Sequence, residues 1–268
     1  DIDLDSPNGS MQIHKAFNNN GMLESRLDAD GVALMGSGTH EGAFNLPALQ
    51  LAAVDPTASF VFQSGSELNV PRLYVTSGNA YIYGTYNGTG SPSSLTIDSG
   101  TILINSTSVT MPSLTTISSG TTLTVNSPIS MQKLYLNGTL NNTSTINVTE
   151  TFSWLNGGFT GVGTTTMVSG TTSTIQNTGG GTIDTQTLTL AGTTNWNSKN
   201  ITLSNGAEII NNGTFNANAT TTMTGGTTES FTNNGSFYKK TADTTTTMNI
   251  PFVNKDTVEV VAGSLVFL

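Results

Sequence analysis

The sequence predicts an all-β protein: a single-chain parallel β-helix, or β-solenoid, with a distinct N-terminal cap segment. Two observations predict this fold. A phrase of alternating apolar and polar residues, a step that contains glycine and a second alternation recurs roughly every 20 to 22 residues, and a fixed period of that length is typical of solenoids. Within the phrase the alternation has period two, which is the period of a strand with one buried face.

The repeated phrase is clearest in two adjacent copies, Leu95–Ile104 and Leu114–Val125. Later copies are looser but keep the glycine step, and glycine favours sharp bends because it tolerates positive φ. The predicted turn glycines are Gly100, Gly120, Gly138, Gly170, Gly192 and Gly213. Antiparallel hairpins would also use Asn-Gly steps, so a β-sandwich or an open barrel is the competing fold.

The first 58 residues differ in composition from the rest. They contain both histidines, eight of the 17 acidic residues and only two of the 48 threonines. A terminal unit of a solenoid must cover the exposed core and the unpaired strand edge. We therefore predict a cap or subunit-contact segment at residues 1–58, followed by a β-helix of roughly nine or ten coils at residues 59–268.

Composition and charge exclude several classes of function. The formal net charge is −9, so no basic surface is available to neutralise the phosphates of a nucleic acid. No apolar stretch approaches the ~20 residues that a membrane-spanning helix needs, and we expect no membrane insertion. The absence of cysteine removes thiol chemistry.

Two parts of the chain resemble a known style of repeat. The stretch 151–164 is rich in aromatic residues and glycine, and the stretch 206–215 ends in Asn-Asn-Gly-Thr-Phe. Over residues 95–268 the sequence resembles the β-helical repeat regions of large bacterial adhesin-like and other secreted surface proteins. This resemblance implies an extracellular, right-handed β-helix used as a stalk, an adhesive element or part of a fibre.

Candidate chemical groups are few and scattered. A polysaccharide lyase or hydrolase of the β-helix type would need paired acids near a basic residue, and Asp184, Glu208 and Lys199 are the candidates one coil apart. The pair Asp28 and Asp30 only faintly resembles a calcium loop. His14 and His40, with no cysteine or paired glutamate, make a poor metal site. We expect no cofactor, no metal and no catalytic residue.

Aromatic residues at strand and turn positions of a solenoid more often complete the core, but exposed ones would provide a stacking platform for sugars, which is the alternative of an adhesin that binds surface glycans or proteins. The aromatic candidates are Trp154, Trp196, Tyr81, Tyr83, Tyr86 and Phe152. Asn-x-Ser/Thr sequons are about as frequent as chance predicts in a chain this rich in Ser and Thr, so glycosylation is permitted rather than indicated. The candidate acceptors are Asn105, Asn137, Asn212 and Asn234.

Both ends of the sequence are predicted to contact other subunits. At the start, three carboxylates alternate with apolar residues, a pattern that could add a strand to a neighbouring sheet. The last residues lie within a strand phrase that has no polar cap. The candidate contact residues are Asp1, Ile2, Asp3, Leu4, Asp5, Leu265, Val266, Phe267 and Leu268. The sequence therefore predicts a structural subunit of a surface filament or rigid stalk, assembled end to end from copies of itself or with other surface proteins.

Overall fold

The computed structural model describes residues 2–3, 11–24, 31–176 and 179–268. These residues form 36 β-strands and no α-helix, and the strands run parallel in a β-solenoid of about 12 turns. The predicted parallel β-helix is confirmed. The competing antiparallel fold is wrong, because the described strands pair in parallel with their equivalents one coil away.

The chain divides into two compact units, Asp1–Met131 and Gln132–Leu268, which we call unit 1 and unit 2. The strands of unit 1 are β1 (Ile2–Asp3), β2 (Met11–Ile13), β3 (Met22–Glu24), β4 (Gly31–Leu34), β5 (Gly38–His40), β6 (Ala43–Asn45), β7 (Ala48–Ala52), β8 (Ser59–Phe62), β9 (Glu67–Asn69), β10 (Arg72–Ser77), β11 (Asn79–Ile82), β12 (Thr85–Asn87), β13 (Ser94–Ile97), β14 (Thr101–Ile104), β15 (Val109–Thr110), β16 (Leu114–Ile117) and β17 (Thr122–Val125). Strand β18 (Ile129–Leu136) contains the boundary between the units.

The strands of unit 2 are β19 (Thr139–Asn142), β20 (Thr145–Trp154), β21 (Gly158–Thr160), β22 (Thr164–Met167), β23 (Thr172–Gln176), β24 (Gly181–Asp184), β25 (Thr187–Leu190), β26 (Thr193–Ser198), β27 (Ile201–Ser204), β28 (Glu208–Asn211), β29 (Thr214–Ala217), β30 (Thr221–Thr224), β31 (Ser230–Asn233), β32 (Ser236–Lys239), β33 (Thr245–Asn249), β34 (Phe252–Asn254), β35 (Thr257–Val260) and β36 (Ser264–Phe267).

Each coil contributes strands to three ladders. In unit 1, one of these ladders consists of β5, β8, β11, β14 and β17. In unit 2, another begins in the second half of β20 and continues through β23, β26, β29, β32 and β35. Hydrogen bonds between equivalent side chains of successive coils span 20, 21 or 22 residues. The repeat length read from the sequence is therefore the length of one coil.

The predicted cap segment contains coils of the same kind. Strand β7, which lies before residue 58, pairs in parallel with β4 on one side and with β10 on the other. The change in composition at residue 58 therefore does not coincide with a change in strand pairing.

The core is built from the inward half of each alternation. In β17, Leu123 and Val125 are fully buried, whereas Thr122 and Thr124 face outward. In unit 2 the inward positions carry large rings: the Phe215 ring lies 5.2 Å from those of Phe231 and Phe237 and 6.0 Å from Trp196. The outward column next to this cluster consists of stacked hydroxyl residues, which are Thr151, Thr172, Thr193, Thr214, Ser236 and Thr257.

Glycines occupy the corners for two different physical reasons. Gly120 and Gly170 have φ values of 77° and 88°, which disfavour any side chain, and a Cβ on either would meet nothing within 4 Å. At Gly100 both reasons apply, since its φ is 89° and a Cβ there would overlap the carbonyl oxygen of Gly78. Gly192 and Gly213 instead lie where the backbones of successive coils touch, since a Cβ atom on either would come within 2.1 Å of a carbonyl oxygen of the coil before it. Gly138 likewise lies in a bend between two strands.

Candidate functional site

The last coil of unit 2 has an open strand edge. Its strands β34, β35 and β36 pair in parallel with β31, β32 and β33 of the preceding coil. Among the described strands, none pairs with their other side. Unpaired N–H and C=O groups along a strand edge form a template for pairing with another strand.

Inward-facing side chains of this last coil are exposed. Val260 continues the inward column of Ala217 and Lys239, and Phe267 continues that of Met248, yet both are 49% exposed. The three preceding members of these columns are fully buried. Val260 and Phe267 are therefore inward-facing positions that the described coils leave half-exposed.

A pocket of about 490 Å³ opens at the same edge. Its lining is mainly apolar and consists of Ile250, Pro251, Phe252, Asn254, Val258, Phe267 and Leu268. The rings of Phe252 and Phe267 lie 4.9 Å apart, and Phe252 stacks at 5.4 Å on the buried Phe231. The aromatic core of unit 2 thus continues to the exposed edge, where it could receive further apolar side chains.

A ladder of asparagines inside unit 2 leads to this edge. The Nδ2 of Asn211 donates to Oδ1 of Asn233 at 2.7 Å, and Nδ2 of Asn233 donates to Oδ1 of Asn254 at 2.8 Å. Each amide also donates to a backbone carbonyl of the next coil, Ser236 for Asn211 and Thr257 for Asn233. These hydrogen bonds align each coil with the next one, up to the last coil.

Removing the middle asparagine of this ladder should destabilise unit 2. We expect Asn233→Ala to lower the free energy of unfolding by about 2 kcal/mol, because it leaves an amide hydrogen of the buried Asn211 without its acceptor and removes the bonds that Asn233 donates to Asn254 and Thr257. The neighbouring exposed Asn234, whose amide donates to Asn212 at 2.8 Å, is the matched control. Asn234→Ala should cost less than about 0.5 kcal/mol. Urea unfolding followed by tryptophan fluorescence measures the stability of both variants. Equal losses of stability would contradict a stabilising role for the buried asparagine ladder.

A buried lysine lies just inside the edge. Lys239 is fully buried, and its Nζ donates to Thr244 Oγ1 and to the carbonyls of Ala217 and Thr241. Burial lowers the pKa of this amine below its usual value. The lysine therefore tethers the 240–244 turn beside the last coil.

The predicted contact residues are placed as follows. Leu265, Val266, Phe267 and Leu268 all belong to the last coil or directly follow it. Asp1, Leu4 and Asp5 lie outside the described residues, as do the side chains of Ile2 and Asp3, whose backbones form β1. Of the predicted glycan acceptors, Asn105, Asn212 and Asn234 are exposed and Asn137 is half-buried.

The predicted carboxylates lie apart in the fold. Asp184 is in β24 and accepts hydrogen bonds from Ser204 and Asn205, whereas Glu208 is in β28 and accepts from Ser230 and Thr232. Lys199 lies in the turn between β26 and β27. The two acids thus belong to different ladders and hydrogen-bond within their own.

One carboxylate escaped the sequence analysis. Glu229 is 4% exposed and accepts hydrogen bonds from the backbone N–H groups of Gly206 and Gly226 and from the Thr228 hydroxyl. The Gly206 bond, followed by the Thr228 bond, lowers the pKa of this carboxyl below its usual value. Glu229 thus links the bend at Gly206 to the bend at Gly226. No local sequence pattern predicts this role.

Most of the predicted sugar platform is inside the protein. Trp154, Trp196, Tyr86 and Phe152 are fully buried. The Nε1 atoms of the two tryptophans donate to backbone carbonyls three residues further along the chain, those of Gly157 and Lys199. Tyr81 and Tyr83 are half-buried and retain an outward face.

The histidines have different environments. His14 is exposed, and His40 is fully buried among phenylalanine rings. No group of three or more His, Asp or Glu side chains among the described residues could hold a metal ion. Asp28 and Asp30 lie outside the described residues.

Comparison with known proteins found no matching family model, no matching curated protein and no matching solved structure. The part of the chain that the structure describes also contains no helix long and apolar enough to cross a membrane.

Proposed function

We propose that this protein is a structural β-solenoid, a rigid element of an extracellular filament or stalk that assembles end to end through the last coil of unit 2. The observation that carries the proposal is the exposure of inward-facing Val260 and Phe267 beside an open strand edge. The resemblance of the repeats to those of bacterial surface proteins supports an extracellular location.

The partner we infer is a second copy of the same chain. A parallel ladder has a direction, so the open edge of the last coil accepts a strand that presents the opposite kind of edge. Unit 1 carries such an edge, because β1 and β2 each pair, among the described strands, with one later strand only. Joining unlike edges gives a heterologous contact, which propagates into a filament unless it closes into a ring.

Association should be lost when charge is placed on the open edge. We expect the weight-average mass of the wild-type chain to rise with concentration, and Val260→Lys and Phe267→Lys to weaken association at least about tenfold, because a paired edge would bury the new ammonium group. Val162→Lys is the matched control, since Val162 is 77% exposed in a turn of unit 2 away from the last coil.

Sedimentation velocity over a concentration series measures this effect, and negative-stain electron microscopy shows whether the assemblies are linear. A wild-type chain that stays monomeric at high concentration would refute end-to-end assembly. The proposal would also fail if all three lysine variants associated as strongly as the wild type.

A further inference from the structure

The corner formed by Asn18–Gly21 in unit 1, which we call the Asn19 corner, is held by hydrogen bonds from the next coil. The carbonyl of Asn19 accepts the N–H groups of Glu41 and Gly42, both at 2.9 Å, and the carbonyl of Gly21 accepts that of Ala43 at 2.8 Å. The Asn19 side chain donates to the Ala43 carbonyl at 3.0 Å. Opening this corner would therefore expose the three backbone donors of residues 41–43.

The corner also accepts the backbone N–H of Thr39 at Oδ1 of Asn18, at 2.9 Å, and it makes one contact to an imidazole. The backbone N–H of Asn19 donates to Nδ1 of His40 at 3.3 Å. Since Nδ1 accepts this hydrogen bond, it carries no proton, and the neutral ring has its hydrogen on Nε2. Nε2 is buried and has no partner among the described residues.

Among the described residues, those that pack around His40 offer no group that would stabilise a charged ring. The rings of Phe17, Phe44 and Phe62 lie 5.9, 5.0 and 5.1 Å from the imidazole. Strands β5, β6 and β8 and the segment 17–19, which pack around it, contain no other titratable side chain. The adjacent Glu41 has an exposed side chain.

We propose that His40 is an acid-sensitive latch, in which the neutral imidazole holds the Asn19 corner closed and protonation at Nδ1 releases it. A proton on Nδ1 would face the N–H of Asn19, so two donors would meet and the hydrogen bond would be lost. The charged ring would also lie in an apolar cage, and it can regain water only when the corner opens. Acid would thus uncover the N–H groups of Glu41, Gly42 and Ala43 for pairing with another strand.

The pKa gives the pH range of the latch. Burial lowers the pKa of His40 from 6.5 to about 4. The open form takes up a proton near pH 6.5 and the closed form only near pH 4, so acid favours opening between these values. The opening constant should rise roughly tenfold per pH unit across this range, about 300-fold in total, and level off below it.

Amide hydrogen exchange of the full chain tests this proposal. We expect the protection factors of the Asn19, Glu41 and Gly42 amides, corrected for the intrinsic exchange rate at each pH, to fall roughly tenfold per pH unit from pH 6.5 to 4. The amides of Tyr83 and Thr193, which donate to Phe62 and Thr171, should keep their protection and so exclude global unfolding.

Two variants separate the latch from a structural role. His40→Asn keeps an acceptor near the position of Nδ1 but cannot titrate, so protection of the corner should become independent of pH. His14→Asn removes the exposed histidine and should behave like the wild type. If His40→Asn does not fold, the pH titration of the His40 ring in the wild type, followed by NMR, must coincide with the loss of protection. A corner that stays closed while His40 titrates, or that opens without its titration, would overturn the proposal.

Discussion

Replacing Gly213 by alanine is expected to destabilise unit 2 by about 3 kcal/mol or more. The new Cβ would lie 2.1 Å from the carbonyl oxygen of Gly192, and that oxygen accepts the N–H of Thr214 at 3.0 Å. Because both atoms belong to the backbone, no change of rotamer relieves the clash. The coils would have to separate, and the hydrogen bond that joins them would weaken.

Gly170→Ala is the matched control for this effect. Gly170 also occupies a corner, with a φ of 88°, but a Cβ there would meet nothing within 4 Å. Alanine should therefore cost only the conformational strain, about 1 to 2 kcal/mol. Urea unfolding measures both variants, and tryptophan fluorescence reports on unit 2 because it contains both tryptophans of the chain. A larger loss of stability in Gly170→Ala than in Gly213→Ala would show that the close contact between coils is not the reason for glycine at position 213.

Phe215→Ala should cost about 3 to 5 kcal/mol, the range for removing a buried phenylalanine. Phe215 is fully buried and contacts three other aromatic rings, of which Phe237 is stacked on it with an interplanar angle of 15°. The alanine would leave a cavity that these rings, held in separate coils, cannot close.

Two further variants test this explanation in the same unfolding experiment. Phe215→Leu retains most of the volume and should cost less than about 1.5 kcal/mol. Phe267→Ala removes a half-exposed ring at the open edge and should cost less than Phe215→Ala. If Phe267→Ala were as damaging as Phe215→Ala, the aromatic cluster would not be the centre of the core of unit 2.

The direction of some strand side chains could not be read from the sequence. In β16 the residues Leu114 and Ile117 have opposite parity, so only one of them can face inward. The structure buries Ile117 together with Thr115 and leaves Leu114 half-buried on the outer face. The pairing of Thr115 with the buried Leu95 of the preceding coil sets this choice, and such a register is a tertiary property.

Threonine inside the core was missed for a related reason. In an alternating strand the polar residues are expected on the outer face, yet Thr165 of β22 is fully buried and donates to Oε1 of Gln186 at 2.9 Å. Met167 is the only apolar residue in Thr164–Met167, so it alone indicates which alternate positions face inward. The buried hydroxyl is tolerated because a glutamine 21 residues later, itself bonded to the Thr160 carbonyl, accepts its hydrogen bond.

The functional candidates show the same division. The contact residues at Leu265–Leu268 stay a prediction, and the structure adds that Phe267 of this coil faces inward and is half-exposed. The sequence left open whether the aromatic residues complete the core or form a platform for sugars, and the structure buries Trp154 and Trp196, whose indole N–H groups donate to backbone carbonyls.

The solenoid, its coil length and the bends at glycine follow from the sequence, because they depend on local alternation and on a period carried in every copy. Which glycines are needed for close contact and which for backbone conformation depends on the folded coils. The folded coils also decide which threonines are buried and which histidine is caged by phenylalanines. These properties depend on atoms about one coil away in the chain, and stacking alone brings those atoms together.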